Sequence, residues 1–259
     1  MKNTGSFTAV LRKELVVYFT TPIFYITGFF FLVLGGYFFY SNTLYYSLVS
    51  FQAAQNIQMA QYLNPLQMVF RPLFATLGVV LLLLVPLLTM RLLAEEKKSG
   101  TAELLFTYPL TDWSIILGKF LAALLVYAIF MAFTLAYPLA FTILARLDWA
   151  SLASCYLGLM LLGGACLSLG LFASSLTENQ IIAAVTAFAL LLLFWIIGWQ
   201  QEIGAAGWGS VFAALSMMDH YDPFIRGVID TRDLVYYFSF IYFFLFLTKM
   251  QLESRRWRA

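Results

Sequence analysis

Charge is what this chain has least of. Only 11% of its 259 residues are Asp, Glu, Lys or Arg, while 62% are hydrophobic. Soluble domains carry about a quarter charged residues, so the composition excludes an ordinary soluble domain and implies a polytopic membrane protein. The net charge of +2, and the lack of an accessible basic tract interleaved with aromatics, exclude nucleic acid as a partner. Cysteine is nearly absent. Cys155 and Cys166 lie in one apolar segment, about 16 Å apart along a helix, too far to pair within it, and carry no redox or metal signal. The single histidine, His220, sits in Asp219-His220-Tyr221-Asp222, which offers too few ligands for a metal; it reads as an interfacial loop residue. Ser168 and Ser174-Ser175 have no histidine or lysine expected within reach, which argues against serine hydrolysis.

Two further absences concern energy. The apolar runs hold no Asp, Glu, Lys, Arg or His away from their ends. Ion-gradient carriers keep ionisable groups at mid-membrane, where each costs about 2.5–3.5 kcal/mol on insertion scales, so such a carrier is disfavoured. Nor is there a nucleotide-binding loop. The one Gly-Lys pair, Gly118-Lys119, is followed by Phe120 and has Trp113 where the motif's first glycine belongs. The chain is therefore expected to be no enzyme and to hold no cofactor, and uphill transport would draw its energy from another polypeptide.

What is present is apolar length. Twenty-six Phe and fifteen Tyr suit lipid-facing surface and interfacial belts. Hydropathy predicts six spans in an all-α fold, near Pro22–Tyr40, Pro72–Met90, Ile115–Leu144, Leu152–Ser174, Gln180–Trp199 and Leu234–Met250. Pro86 and Pro138 mark bends in the second and third. In the fourth, Ser154 and Gly158, then Cys166, Gly170 and Ser174, recur at four-residue spacing, which permits close helix contact within one subunit or between two. Ahead of the first span, Phe7, Val10, Leu11, Leu15 and Tyr18 recur near helical spacing. Arg12, Lys13 and Glu14 are expected away from that face, making residues 6–21 an amphipathic interfacial helix. No cleavable signal peptide is recognisable, so this segment is expected to be retained.

Eleven of the fifteen Lys and Arg fall in the N-terminal segment, the stretch Met90–Lys119 and its flanks, or the C-terminal tail; only Arg71, Arg146, Arg226 and Arg232 fall on the other side. The positive-inside rule then places both termini in the cytoplasm. Two outer segments remain. Gln52, Gln55, Gln58 and Gln61 pattern an uncharged surface helix, and residues 200–233 form a re-entrant or interfacial segment centred on Trp208–Met218. No soluble domain and no internal repeat are evident, leaving residues 1–259 as one membrane domain.

The stretch Met90–Lys119 is the long polar interruption rich in both charge signs. Lys97 and Lys98 suit a last helical turn, Gly100 supplies a stop, and Thr101 caps a second helix with Glu103 in its first turn. Pro109 ends that helix, and Thr111-Asp112 starts the next span.

At this stretch the sequence resembles the permease subunits of ABC-2-type ATP-driven transporters. The matching run is Arg91, Glu95-Glu96-Lys97-Lys98-Ser99-Gly100-Thr101, Glu103-Leu104-Leu105, Pro109 and Gly118-Lys119. Ser174–Gln180, Phe224–Tyr236 and Leu252–Trp257 are similar to the gliding-motility (GldF-like) branch. The resemblance implies residues 91–114 as a cytoplasmic coupling loop with its coupling helix between spans two and three. It places Arg91, Glu95, Glu96, Lys97, Gly100, Thr101, Leu104 and Pro109 in or beside the groove of a cytoplasmic ATPase subunit, flanked by Arg12 and Lys13 of the elbow helix. It also implies ATP and Mg on that partner, a second permease copy or paralogue, and a bacterial inner-membrane location. An ATPase-driven anchor doing mechanical or assembly work, with no solute crossing, is the alternative.

Overall fold

The structure, a computed structural model, describes residues 3–53, 64–100, 111–197 and 214–256. Among these the chain is built of helices and turns without strands. The elbow helix α1 is Asn3–Thr20 and the first membrane helix α2 is Pro22–Ala53. A π turn at Leu66–Phe70 leads into α3, Arg71–Thr89, followed by the short α4, Ala94–Lys98. Then come α5 (Asp112–Thr134), α6 (Ala136–Phe141), α7 (Trp149–Leu176), α8 (Gln180–Ile197), α9 (Met217–Ile225) and α10 (Thr231–Arg256). Six helical stretches are long and apolar enough to cross a membrane: Pro22–Ala53, Leu66–Lys98, Asp112–Phe141, Trp149–Leu176, Gln180–Ile197 and Thr231–Ser254. The molecule is an all-α, multi-pass membrane protein.

Two expected boundaries move. The first span was expected to end at Tyr40, yet α2 continues to Ala53. Its polar stretch does not stop it because Thr43 and Ser50 donate to carbonyls four residues back, at 2.7 and 2.8 Å, and so satisfy themselves within the helix. Its 32 residues reach about 48 Å, well beyond a hydrocarbon core of about 30 Å. The third span breaks at Leu135. Pro138 has no N–H to offer the Thr134 carbonyl, so the α-helical ladder is interrupted there, and Leu135 N–H bonds Ala132 O instead at 3.2 Å. The helix ends at Phe141, short of the expected Leu144. By contrast, α3 stays continuous through Pro86. The glutamine-patterned helix falls almost wholly outside the described residues, as does the first half of the apolar centre Trp208–Met218; its last two residues, Met217 and Met218, begin α9.

The fourth span is the centre of the bundle: 72% of its most apolar window is buried, against 17% for the fifth span at the periphery. Its small residues are the reason. A Cβ on Gly158 would lie 2.3 Å from Phe224 Cβ in α9, and one on Gly170 would lie 2.3 Å from the Thr89 hydroxyl of α3. Ser154 Oγ donates to the carbonyls of Phe224 (3.2 Å) and Val228 (3.3 Å). The small-residue spacing thus serves packing within this chain. The outer faces of α2, α8 and α10 remain apolar and exposed, through Phe29, Phe30, Ile181, Val185, Val235 and Phe238. That is the surface expected against lipid or another subunit.

At the far end from α1, α9 corrects the reading of His220. It is no loop residue but a buried helical one, with Nδ1 2.6 Å from Asp233 Oδ1 and its ring stacked 3.9 Å from that of Tyr236. Asp222 pairs with Arg71 at 3.2 Å and with Arg226 at 2.5 Å, and Tyr221 donates to the Phe74 carbonyl at 3.0 Å. These contacts seat α9 on spans two and six.

The glycine contacts yield a test. Gly158→Ala should destabilise the protein by about 1–3 kcal/mol through overpacking against Phe224. Gly36→Ala, whose new methyl meets only the Tyr137 hydroxyl at 3.7 Å, should be neutral or mildly stabilising. Thermal unfolding of both variants in detergent reads the difference.

Candidate functional site

The charges that the sequence concentrates between spans two and three meet three other elements at one end of the bundle. The chain leaves α3 through a tight turn, Leu92 N–H to Thr89 O at 3.1 Å, and forms α4 over five residues. Glu95 and Glu96 fall in its first turn and Lys97 and Lys98 in its last, the arrangement the helix dipole favours. Ser99 N–H closes the helix on Glu95 O at 3.0 Å, and Gly100, at φ +70°, supplies the left-handed residue that ends it. Arg91 and Glu95 join in a two-pronged pair, at 2.7 and 3.1 Å.

No side chain of its own caps α4. Ser174 of α7 does so from outside: its Oγ accepts from the amides of Leu93 and Ala94, both at 3.1 Å, and donates to the Met90 carbonyl at 3.2 Å. Lys97 Nζ donates to the Ser175 carbonyl. A lysine therefore does reach this serine pair, contrary to expectation, but it meets a carbonyl. The Ser175 hydroxyl donates to Phe172 O at 2.6 Å within its own helix, so no nucleophile is set up.

On the opposite side of α4, four charges of the described residues cluster. Lys119 of α5 has 1% of its side chain exposed, and its ammonium lies 2.7 Å from Glu14 of α1 and 2.9 Å from Glu96 of α4. Lys13 at the rim, half exposed, lies 2.6 Å from the same Glu96 oxygen and 3.7 Å from Glu14. Two carboxylates and two ammonium groups sum to zero, which is how a nearly dry cluster tolerates burial. Here the reading of α1 needs correcting. Glu14 does not face away with Arg12 and Lys13; it lies on the buried line of Val10 and Tyr18, at helical spacing, because Lys119 is waiting there. Gly118 makes the approach possible: a Cβ there would sit 2.8 Å from Val10 Cγ1. Tyr18 completes the docking by donating to the Leu88 carbonyl at 2.8 Å.

Burial lowers the Lys13 pKa, but the hydrogen bond and charge of Glu96, with a smaller share from Glu14, outweigh it and hold the ammonium above its ordinary value of 10.5. Burial raises the Tyr18 phenol, which stays neutral. Between α1, the end of α3 and α4 lies a cleft of about 370 Å³ with an apolar floor including Val17, Leu88 and Leu92 and a charged wall including Arg91, Glu95 and Glu96.

Of the residues singled out by the sequence, Arg91, Glu95, Glu96, Lys97 and Gly100 converge here with Lys13, while Arg12 is exposed on the outer side of α1. Thr101, Leu104 and Pro109 lie outside the described residues. Glu14, Tyr18, Lys119 and Ser174 were missed as site residues. The Gly118-Lys119 pair was the available signal, read as a failed phosphate loop and as part of the family-like run but not as a site residue. Among the described residues no group of His, Cys, Asp and Glu converges as a metal site.

The pattern of the family described as ABC-2 family transporter protein matches residues 8–247. The chain belongs to the ABC-2 transporter family. The match runs from α1 into α10 and takes in the whole charged junction, so this end of the ABC-2 domain is part of the family's shared frame. No individually curated protein matches the chain. The ABC-2 assignment makes it a multi-pass membrane component of a transporter, of the permease type.

Two tests follow from the junction. Ser174→Ala removes the shared acceptor of two amides and should cost about 1–3 kcal/mol, seen as faster hydrogen exchange at Leu93 and Ala94. Ser175→Ala should leave both amides protected. Because the folded Lys13 pKa is raised, its contribution to α1 docking is fully present below 10.5 and is lost as pH rises through the still higher folded value. A fluorophore on α1 should therefore report constant docking from neutrality to about pH 10.5 and release only above it.

Proposed function

We propose that the chain is the membrane-spanning permease subunit of an ATP-driven exporter, driven through α4 by a separate cytoplasmic ATPase subunit. The observation that carries this reading is the form of the junction. A short helix exposes its tip, Lys98, Ser99 and Gly100, and part of the Glu95 side chain, while its start and its Glu96 and Lys97 sides are fastened to the bundle. A tip presented to water and a root fixed to several spans suit an element that receives displacement from outside and passes it on.

ATP and Mg²⁺ belong to the partner subunit in this reading, and this chain only receives motion. A push on α4 is carried to span four by Ser174 and Lys97, and to span three and α1 by Glu96. The moving body is thus larger than spans two and three alone. Rigid-body displacement of that group, against a second copy or a paralogue contacting the exposed apolar faces, would change which side the pore opens to. The concentration of Lys and Arg at this end supports its placement in the cytoplasm of a bacterial cell, with both termini on that side. Uncharged, aromatic span faces suit a lipid-like or amphipathic cargo.

Mechanical or assembly work without a solute is the second reading. It rests on the gliding-motility-like stretches at Ser174–Gln180 and Phe224–Tyr236, the first of which contributes directly to the junction through Ser174. Transport into vesicles containing the complete assembly separates the two.

The coupling itself is testable with a single cysteine. Both native cysteines are buried, so Lys98→Cys should be the reactive thiol. In membranes it should cross-link to a nucleotide-binding subunit, while Val228→Cys at the opposite end should not. Cross-linking of neither, together with full transport by the purified chain alone, would overturn the assignment.

A further inference from the structure

We propose that Lys119 is a positioning residue that makes the elbow helix α1 a moving part of the transmission, bound to α4 through one buried ammonium. This rests on the coupling role assigned above and adds a component to it. Lys119 is 1% exposed, and Glu14 and Glu96 are 8% and 12% exposed in their side chains. Exposed ion pairs break and re-form cheaply in water, but separating these groups leaves a buried charge without its counterion. The ammonium holds Glu14 of α1 at 2.7 Å and Glu96 of α4 at 2.9 Å simultaneously, so neither helix can shift relative to α5 without stretching a bond that has no solvent substitute. Lys13 adds a direct bond from α1 to Glu96 at 2.6 Å.

Packing points the same way. Gly118 brings Val10 of α1 within van der Waals contact of α5, and Tyr18 bonds the end of α3 through the Leu88 carbonyl at 2.8 Å. Helix α1 is thus seated on spans two and three along its buried line, with its other face, including Val16 and Phe19, exposed. A displacement of α4 reaches α1 through Glu96 and Lys119 and is carried out to that exposed face. The elbow helix follows the coupling helix rather than serving as a fixed anchor.

The charge count decides between this role and simple packing. Lys119→Met keeps the volume and leaves two carboxylates facing one lysine. The double variant Lys119→Met with Glu14→Gln restores a balanced pair, leaving the existing Lys13–Glu96 link between α1 and α4 without a competing carboxylate.

The experiment is distance measurement by spin labels on the assembled transporter in nanodiscs, with and without trapped ATP. Labels are placed at the exposed positions Ala9 of α1, Lys98 of α4 and Val228 at the opposite end. In the otherwise unaltered chain, the Ala9–Val228 and Lys98–Val228 distances should change together on ATP trapping. In Lys119→Met, where Lys13 alone is left to serve both carboxylates, Lys98–Val228 should still change while the Ala9–Val228 change shrinks, and ATP hydrolysis per transport event should rise about 2- to 30-fold, the range that coupling residues span. The double variant should recover both. Ala9 following Lys98 as fully in Lys119→Met as in the unaltered chain, or a double variant no better than the single one, would overturn the proposal. If no distance responds to ATP in the unaltered chain, the coupling role of α4 is what fails. The ammonium link is then judged alone from the Ala9–Lys98 distribution, which must broaden in Lys119→Met and narrow again in the double variant. Should Lys119→Met not accumulate in membranes, the double variant and Lys119→Arg carry the same comparison.

Discussion

An ammonium group taken almost wholly out of water fixes more of this structure than any other single group. Lys119 cannot sit at 1% exposure unless carboxylates come to it, and its own helix offers none in reach. One arrives from α1, 105 residues earlier, and the other from α4. The positions of the elbow helix and of the short charged helix are therefore consequences of one desolvation problem. Two carboxylates around one buried amine would leave a net negative charge, and Lys13 at the rim answers it. Its partly exposed position is the cheap place for the fourth charge, because water shares the work there.

The two ends of the bundle are held by different mixtures of contacts. At the α1 end one ammonium, 1% exposed, is shared by two carboxylates from two other helices, and Tyr18 adds a bond to the Leu88 carbonyl. At the other end Asp222 pairs with Arg71 and Arg226 where the partners are partly exposed, His220 pairs with Asp233, and tyrosine hydroxyls reach backbone carbonyls: Tyr221 to Phe74 and Tyr237 to Met217, at 3.0 and 2.9 Å. Partly exposed ion pairs and neutral hydrogen bonds cost less to break than a stranded buried charge. At the α1 end a single buried charge ties three helices together, whereas at the far end the contacts are separate pairs.

Spans, helix starts and the stop at Gly100 were legible because each depends on local composition. Thr111 caps α5 on Ser114 as its sequence position suggests, and Gly100 takes the positive φ expected of a helix stop. The inward turn of Glu14 was not legible. Its neighbours Arg12 and Lys13 are polar, and nothing local distinguishes the one charge whose partner lies more than a hundred residues away. His220 escaped for the same reason: Asp233 and Tyr236 bury it, and neither belongs to its short motif. The length of α2 was misjudged because serine and threonine look like a helix end in sequence, yet satisfy themselves on the helix backbone. The spacing of Val10, Glu14 and Tyr18, read beside Gly118-Lys119, held the junction in outline. Joining the two required knowing that α1 crosses α5 at a glycine.

A helix of five residues has no stability of its own, since isolated helices below about 12–15 residues are marginal in water. The rigidity of α4 is therefore borrowed. Ser174 supplies the acceptor for its first amides, Lys97 ties its end to the last turn of span four, and Glu96 ties its flank to Lys119. A force applied at Lys98–Gly100 cannot be absorbed by bending α4 without breaking one of these attachments. It passes instead into α7, α5 and α1, and the directions in which the bundle can move are set by where those attachments end. Which elements α4 is attached to is thus set by a handful of polar contacts, added to the apolar burial of Leu92, Leu93 and Ala94 at its start.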